Sequence, residues 1–330
     1  MRWSYAINQF KPQFDDFVRR RDHLRALRVI SASGFSAVEL NSGSGRWEPL
    51  GNPQQIAANF GTVAAFGDFV REQALDGVSS WFWDPFIRLQ EDLTHGDDPA
   101  APEARAGLVQ HARWFAQALA ELGGDVLVVR PAASASQLTE VTDEVIAALA
   151  ASWTEVADAI AEHGVKLALH LDFYSGLRRD DGLERLIRAT DARVGLALDT
   201  AEFTIAGIDP VAFYRAHHDR VVHVHLKNAG AVDDLGEFTM PAPEFTLLRA
   251  GGSRAVPRWF TELATAPLLV DAPAFVGALA EHGYDGWVVV ESDLTPHPPT
   301  SAMLNGWEVQ HVLAPIAEGR AVESTAPASP

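Results

Sequence analysis

The sequence predicts a single-domain (β/α)8 barrel, the TIM-barrel architecture, and three observations carry that reading. Eight short apolar runs recur along the 330 residues, segments of helical periodicity lie between them, and glycine stands at or just past several helix ends. Runs that are apolar at consecutive positions suit strands buried on both faces, as in a parallel sheet covered by helices.

Taken in order, the first strand is expected at Trp3–Asn8 and is followed by helical periodicity over Phe14–Ser33 and a closing Gly34. The second strand, Ala37–Leu40, precedes a helix at Phe60–Ala74, and the third, Gly77–Phe82, precedes one at Glu103–Leu122 that ends on Gly123. Val126–Arg130 is the fourth strand, before a helix at Asp143–His163 closed by Gly164, and Lys166–Leu171 is the fifth. Gly195–Asp199, Val221–Lys227 and Trp287–Glu291 complete the set, with helices at Val211–His218 and Ala272–His282 and a further closing Gly283. Glycine at these ends supplies the positive φ that stops a helix before the next strand. A doubly wound dinucleotide-binding sheet would want a Gly-x-Gly-x-x-Gly turn after its first strand, where this chain has Gln9-Phe10-Lys11-Pro12. The barrel is expected to occupy residues 1–318, with long βα loops at about 83–102 and 229–267 and a disordered tail over 319–330.

Composition excludes several classes. Asp and Glu number 44 against 26 Lys and Arg, a formal charge of −18, which repels nucleic-acid backbones and anionic membrane surfaces. Cysteine is absent, so disulfides, zinc–thiolate sites, iron–sulfur clusters and cysteine nucleophiles are ruled out. No apolar run reaches the roughly 18 residues of a membrane span. Met1–Tyr5 reads straight into a strand without a signal-peptide core, so a cytoplasmic protein is expected.

The later strands carry the chemistry. Strand five ends in His170 with Asp172 two residues on, strand six in Asp199, strand seven in His223 and His225, and strand eight in Glu291. Barrel active sites lie at these C-terminal ends, and residues two apart on a strand share a face. A lone histidine is more often a hydrogen-bonded core group than a ligand, but imidazoles and carboxylates in register on four successive strands make a divalent metal site. A nitrogen and oxygen ligand set without sulfur suits Mn2+ first, with Mg2+, Co2+ and Zn2+ as alternatives.

Leu198-Asp199-Thr200-Ala201-Glu202, His223-Val224-His225-Leu226-Lys227-Asn228 and Gly283-Tyr284-Asp285-Gly286-Trp287 running on to Glu291-Ser292-Asp293 resemble the xylose-isomerase-like barrels. This group, the sugar phosphate isomerase/epimerase superfamily, includes epimerases, inosose dehydratases and endonucleases. The resemblance implies a divalent metal held by Glu, Asp, His and Glu from strands five to eight. Asp199, His225 and Glu291 match that pattern, whereas His170 stands in place of the first Glu, and Glu202 where many members have a substrate-binding His. Either His170 is the fourth ligand and Asp172 the proton acceptor, or the two exchange roles. Within the group, Arg2–Asn8, Arg46–Pro53 and Ser79–Pro85 resemble the large subunit of bacterial C-glycoside deglycosidases. That likeness implies cleavage of the carbon–carbon bond between a 3-keto sugar and an aromatic aglycone, with a small β-type partner subunit, docked in our reading on the loop at 229–267.

A metal-chelated ketone acidifies the neighbouring C–H, so such a site supports isomerisation, epimerisation, dehydration or β-elimination of an aglycone. A non-catalytic barrel subunit is the alternative from another class. Lys227 is expected either to handle substrate or to pair with Asp199 or Glu291. Trp81 and Trp83 are expected in the pocket, and Arg130, Glu202, Asn8, Glu39 and Asn41 are candidate hydroxyl binders.

Overall fold

The computed structural model describes residues 1–11, 19–42, 49–86, 97–246 and 252–320. Its chain order begins β1 (Arg2–Ala6), α1 (Arg20–Ala32), β2 (Ala37–Ser42), α2 (Pro53–Phe60), α3 (Val63–Arg71), β3 (Gly77–Trp83), α4 (Arg105–Leu122), β4 (Val126–Val129) and α5 (Asp143–Ala161). It continues β5 (Lys166–His170), α6 (Gly182–Ala189), β6 (Val194–Asp199), α7 (Thr200–Ile205), α8 (Pro210–His217), β7 (Val221–Leu226), β8 (Asn228–Ala229) and β9 (Phe260–Thr261). The last elements are α9 (Ala272–Glu281), β10 (Trp287–Val290), α10 (Pro298–Glu308), a π turn at Val309–Leu313 and α11 (Ala314–Ala317).

Strands β1 to β7 and β10 close a barrel in the order β1-β10-β7-β6-β5-β4-β3-β2, and every barrel pairing is parallel. Closure falls between β1 and β10, where Tyr5 pairs with Val290. Each strand agrees with its expected run to within two residues at either end. Strands β2, β3 and β6 are buried at every position, including the polar Glu39 and Asn41 of β2.

The helices differ from expectation where local signals compete. The periodicity at Phe60–Ala74 becomes α3, which starts later because Gly61, at φ 79, ends a separate helix α2 before it and the Thr62 side chain accepts from Ala65 N to cap α3. The helix expected from Phe14 is described from Arg20 onward, and residues 12–18 lie outside the described set. Helices α2, α6, α7, α10 and α11 correspond to none of the expected helical segments. Helix α7 starts directly after β6, whose last residue Asp199 caps it by accepting from Glu202 N at 2.9 Å. Near the C-terminus α10 packs on α1 at Gly306, where a Cβ would meet Ser33 O at 2.0 Å. Only glycine allows that approach.

Between Ala229 and Pro267 the described residues form a tethered cap rather than a plain loop. The antiparallel ribbon β8–β9 closes it, and Asn228 pins it by donating to Thr261 Oγ1, Thr265 O and Pro267 O and by accepting from Leu269 N and Val270 N. Beneath it Phe173, Trp259, Phe260 and Val270 make a small core separate from the barrel's own. Residues 87–96 and 247–251, within the two expected long loops, and the tail from 321 lie outside the described residues, as do residues 46–48 of the Arg46–Pro53 motif.

Candidate metal centre

A cavity of about 950 Å3 opens at the C-terminal mouth of the barrel. Strands β5, β6, β7 and β10 each deliver a polar group there: His170 and Asp199 end β5 and β6, and His225 and Glu291 stand within one residue of the ends of β7 and β10. All four are buried. His170 Nε2 lies 3.2 Å from Asp199 Oδ2, and His225 Nδ1 lies 3.2 Å from Glu291 Oε1 and 3.7 Å from Asp199 Oδ2. One ligand atom from each of His170, Asp199 and His225 falls within 4.8 Å of the others.

These residues fit a divalent cation. The Nδ1 atoms of His170 and His225 are buried without a hydrogen-bond partner. Six carboxylates crowd two cationic side chains, with Asp199, Glu202, Glu291 and Asp293 around Lys227 and Asp84 and Asp172 around Arg130. A dication ligated by imidazole nitrogens and carboxylate oxygens offsets such an excess.

Lys227 is itself buried and lies 3.0 Å from Asp199 Oδ2, 2.9 Å from Glu291 Oε1 and 3.6 Å from Glu202 Oε1, with Asp293 also in contact. Both expected partners are therefore engaged at once. Burial works against the ammonium, but Asp199, Asp293 and Glu291 outweigh it and hold its pKa well above the usual value. Burial likewise opposes ionisation of Asp199, yet Lys227 and His170 keep that carboxyl well below its ordinary range. Glu202 goes the other way. Burial, reinforced by Asp199 and Asp172, drives it well up despite Lys227, while its Oε2 accepts from Phe173 N at 2.7 Å. Asn8 donates to Asp293 Oδ1 at 2.8 Å and to Glu291 Oε2 at 3.3 Å, which ties β1 to the acids that follow β10.

Asp172 faces the cavity from the opposite wall. Arg130 donates to both its oxygens, at 2.7 and 3.3 Å, and also engages Asp84 and the Tyr174 hydroxyl. His170 Nδ1 is 3.7 Å from Asp172 Oδ1, so the two candidates for base and fourth ligand are neighbours.

Of the expected substrate contacts, Asn8, Asn41, Arg130 and Glu202 line the cavity. Trp81 and Trp83 do not. Both are buried against α4, with Trp81 meeting Trp114 and Phe115 and Trp83 stacking on Phe115 at 5.3 Å. The residue between them, Phe82, points inward, lines the cavity and sits 5.2 Å from the His170 ring. Strand alternation assigns the two faces oppositely, and on a strand apolar at both, the sequence does not say which is which. Glu39 likewise does not line the cavity. It lies inside the barrel, where burial opposes its charge but His225 and His223 hold its carboxyl well below the usual range. Asp293, Tyr174, Glu244 and Phe260 also line the cavity without having been singled out, although Asp293 stood inside the Glu291–Asp293 motif.

The model of the xylose isomerase-like TIM barrel family matches residues 27–307. Among curated proteins, the rhizopine catabolism protein MocC of Rhizobium meliloti is 35% identical over 156 residues, covering 46% of this chain and 45% of that protein. An inosose dehydratase of Lacticaseibacillus casei is 26% identical, covering 47% and 49%. The chain thus spans about half the length of the curated relatives it matches. Among solved structures, an L-ribulose 3-epimerase aligns over 100% of this chain and 99% of its own at a TM-score of 0.67 and 18% identity. The probable 3-DHS dehydratase AsbF from Bacillus anthracis aligns over 94% and 99% at 0.67 and 14%. With the closed eight-stranded parallel barrel and the match over most of its length, the chain belongs to the xylose isomerase-like TIM barrel family.

Proposed function

We propose that this protein is a divalent-metal-dependent enzyme that removes a proton next to the ketone of a polyhydroxylated substrate, with inosose-type dehydration as the leading reaction and epimerisation or isomerisation as the second. The observation that carries it is the convergence of His170, Asp199 and His225 within 4.8 Å at the edge of a cavity of about 950 Å3. The dehydratase names among its sequence relatives favour water loss, and the epimerase likeness is one of fold. Cleavage of a carbon–carbon bond to an aromatic aglycone finds no support in the relatives named above, whose names include dehydratases and an epimerase, and Trp81 and Trp83 of one motif behind that expectation pack against α4.

His170, Asp199, His225 and Glu291 would hold the ion, and Mn2+ is the first to test. When bound, it supplies Lewis acidity that polarises a carbonyl and acidifies the adjacent C–H. Asp172 and His170 are the candidates to take that proton, and Arg130 holds the Asp172 carboxylate at the cavity wall by two hydrogen bonds. Lys227, Glu202, Asn8 and Asn41 present donors and acceptors suited to substrate hydroxyls. In dehydration the C–H proton passes to the base, the bond to the β-hydroxyl breaks, and that oxygen leaves as water after taking a proton.

The test is NMR of an inosose in D2O with protein stripped of metal and then reloaded with Mn2+ removed before acquisition of quenched samples. Metal-dependent loss of the α-proton signal with water elimination is expected. Exchange without elimination selects epimerisation, and absence of exchange in the loaded protein overturns the proposal. His170→Ala should abolish metal occupancy; a variant that keeps its ion but loses turnover makes His170 the base instead.

A further inference from the structure

The proposed centre draws on one nitrogen of His225, and the other faces a carboxylate inside the barrel. Glu39, on β2, is fully buried. It accepts from His225 Nε2 at 3.1 Å, His223 Nε2 at 3.0 Å and Ser80 Oγ at 2.7 Å. Glu39, His223 and Ser80 do not line the cavity, whereas His225 does.

A neutral imidazole has one N–H and one lone pair, and its hydrogen-bond partner decides which nitrogen carries which. Ionised carboxylate oxygens only accept, so Glu39 draws the proton to Nε2 and leaves the lone pair on Nδ1. That is the nitrogen aimed at Glu291 Oε1 and Asp199 Oδ2. We propose that Glu39 is a positioning residue that fixes His225 as the Nε2–H tautomer and turns its Nδ1 toward a divalent cation. The proposal rests on the metal-dependent reading above. Ser80 on β3 and His223 on β7 also hold the carboxylate, at 2.7 and 3.0 Å.

Glu39, His223 and His225 also bring three potential ligand atoms within 4.8 Å, so a second ion is the competing account. Access argues against it: neither Glu39 nor His223 lines the cavity through which an ion would arrive, whereas His170, His225 and Glu291 do. Carboxylates placed behind a metal-binding histidine orient the ring and make it a better donor, and their loss typically weakens metal affinity by about 10–100-fold.

The experiment titrates wild type and Glu39→Gln with Mn2+ alone, reading free Mn2+ by electron paramagnetic resonance, and records the melting temperature of each metal-free protein. One equivalent in both proteins, held about 10–100-fold more weakly by the variant, is expected. Unchanged affinity overturns the proposal, even if melting temperature falls, because that pattern marks a structural role alone. Two equivalents in wild type and one in the variant also overturn it, in favour of the second ion. Should the variant not fold, long-range 1H–15N spectra of wild type loaded with Zn2+ decide, with His225→Gln for assignment: Nε2–H with coordinated Nδ1 is expected, and the reverse overturns it. A wild type that binds no ion brings down the functional reading and this inference together, whereas binding that ignores Glu39 brings down this inference only.

Discussion

Lys227 is the residue on which the balance of the site turns, since one buried ammonium faces Asp199, Glu291 and Asp293. Lys227→Met would leave those carboxylates uncompensated, and breaking a buried ion pair from one side costs about 3–5 kcal/mol. Urea unfolding of the metal-free variant should show a loss of that order, part of which saturating Mn2+ restores by supplying charge to the same acids. An equal loss with and without Mn2+ would separate Lys227 from the metal centre. The faces of β3 give a second contrast. Trp81→Ala should destabilise the fold by about 3–5 kcal/mol with little change in KM, because its ring packs on Phe115 beneath the helix layer. Phe82→Ala should alter KM or metal affinity, since its ring stands over His170. Steady-state kinetics beside denaturation curves would tell the two apart.

Among the elements, α1 carries a built-in acid sensitivity away from the candidate metal centre. His23 on its inner face is fully buried, its Nε2 lies 2.8 Å from Leu50 O, and Phe60 and Phe66 meet its ring edge-on at 5.3 and 5.4 Å. Burial lowers its pKa from 6.5 to about 4. Between those values the unfolded chain binds more protons than the fold, so stability is full above pH 6.5 and declines as pH falls toward 4. For a shift of this size the total is about 3 kcal/mol. Urea midpoints taken from pH 7 down to 4.5 should fall more steeply for wild type than for His23→Gln, whose amide can still reach Leu50 O. Parallel slopes would show that His23 is not the group responsible.

For the whole molecule, a charge of −18 and a mouth lined with carboxylates make cation binding and stability one problem. An ion that binds only the folded chain stabilises it by about 2.7 kcal/mol at a hundred times its Kd. Mn2+ should therefore raise the unfolding midpoint with concentration, and a chelator should reverse the rise. Sodium chloride at matched ionic strength is the control, because screening of surface repulsion alone would give the same gain. Among the described residues no helix is long and apolar enough to cross a membrane.

The sequence by itself determined the barrel and the four groups at its later strand ends. Strands buried on both faces are largely apolar, glycine closes several helices, and a polar group next to a strand terminus keeps its address whatever the helices do. Short helices such as α7 escaped because six residues are too few for a periodic signal, and α7 starts directly after β6. The inward turn of Phe82, the pairing of Arg130 with Asp172 across 42 residues and of Glu39 with His225 across 186 were decided by the tertiary structure alone. Periodicity is local information. Which face of a wholly apolar strand looks inward, and which distant acid lies behind a histidine, are set only when the barrel closes and brings β2 and β7 to face each other across its interior.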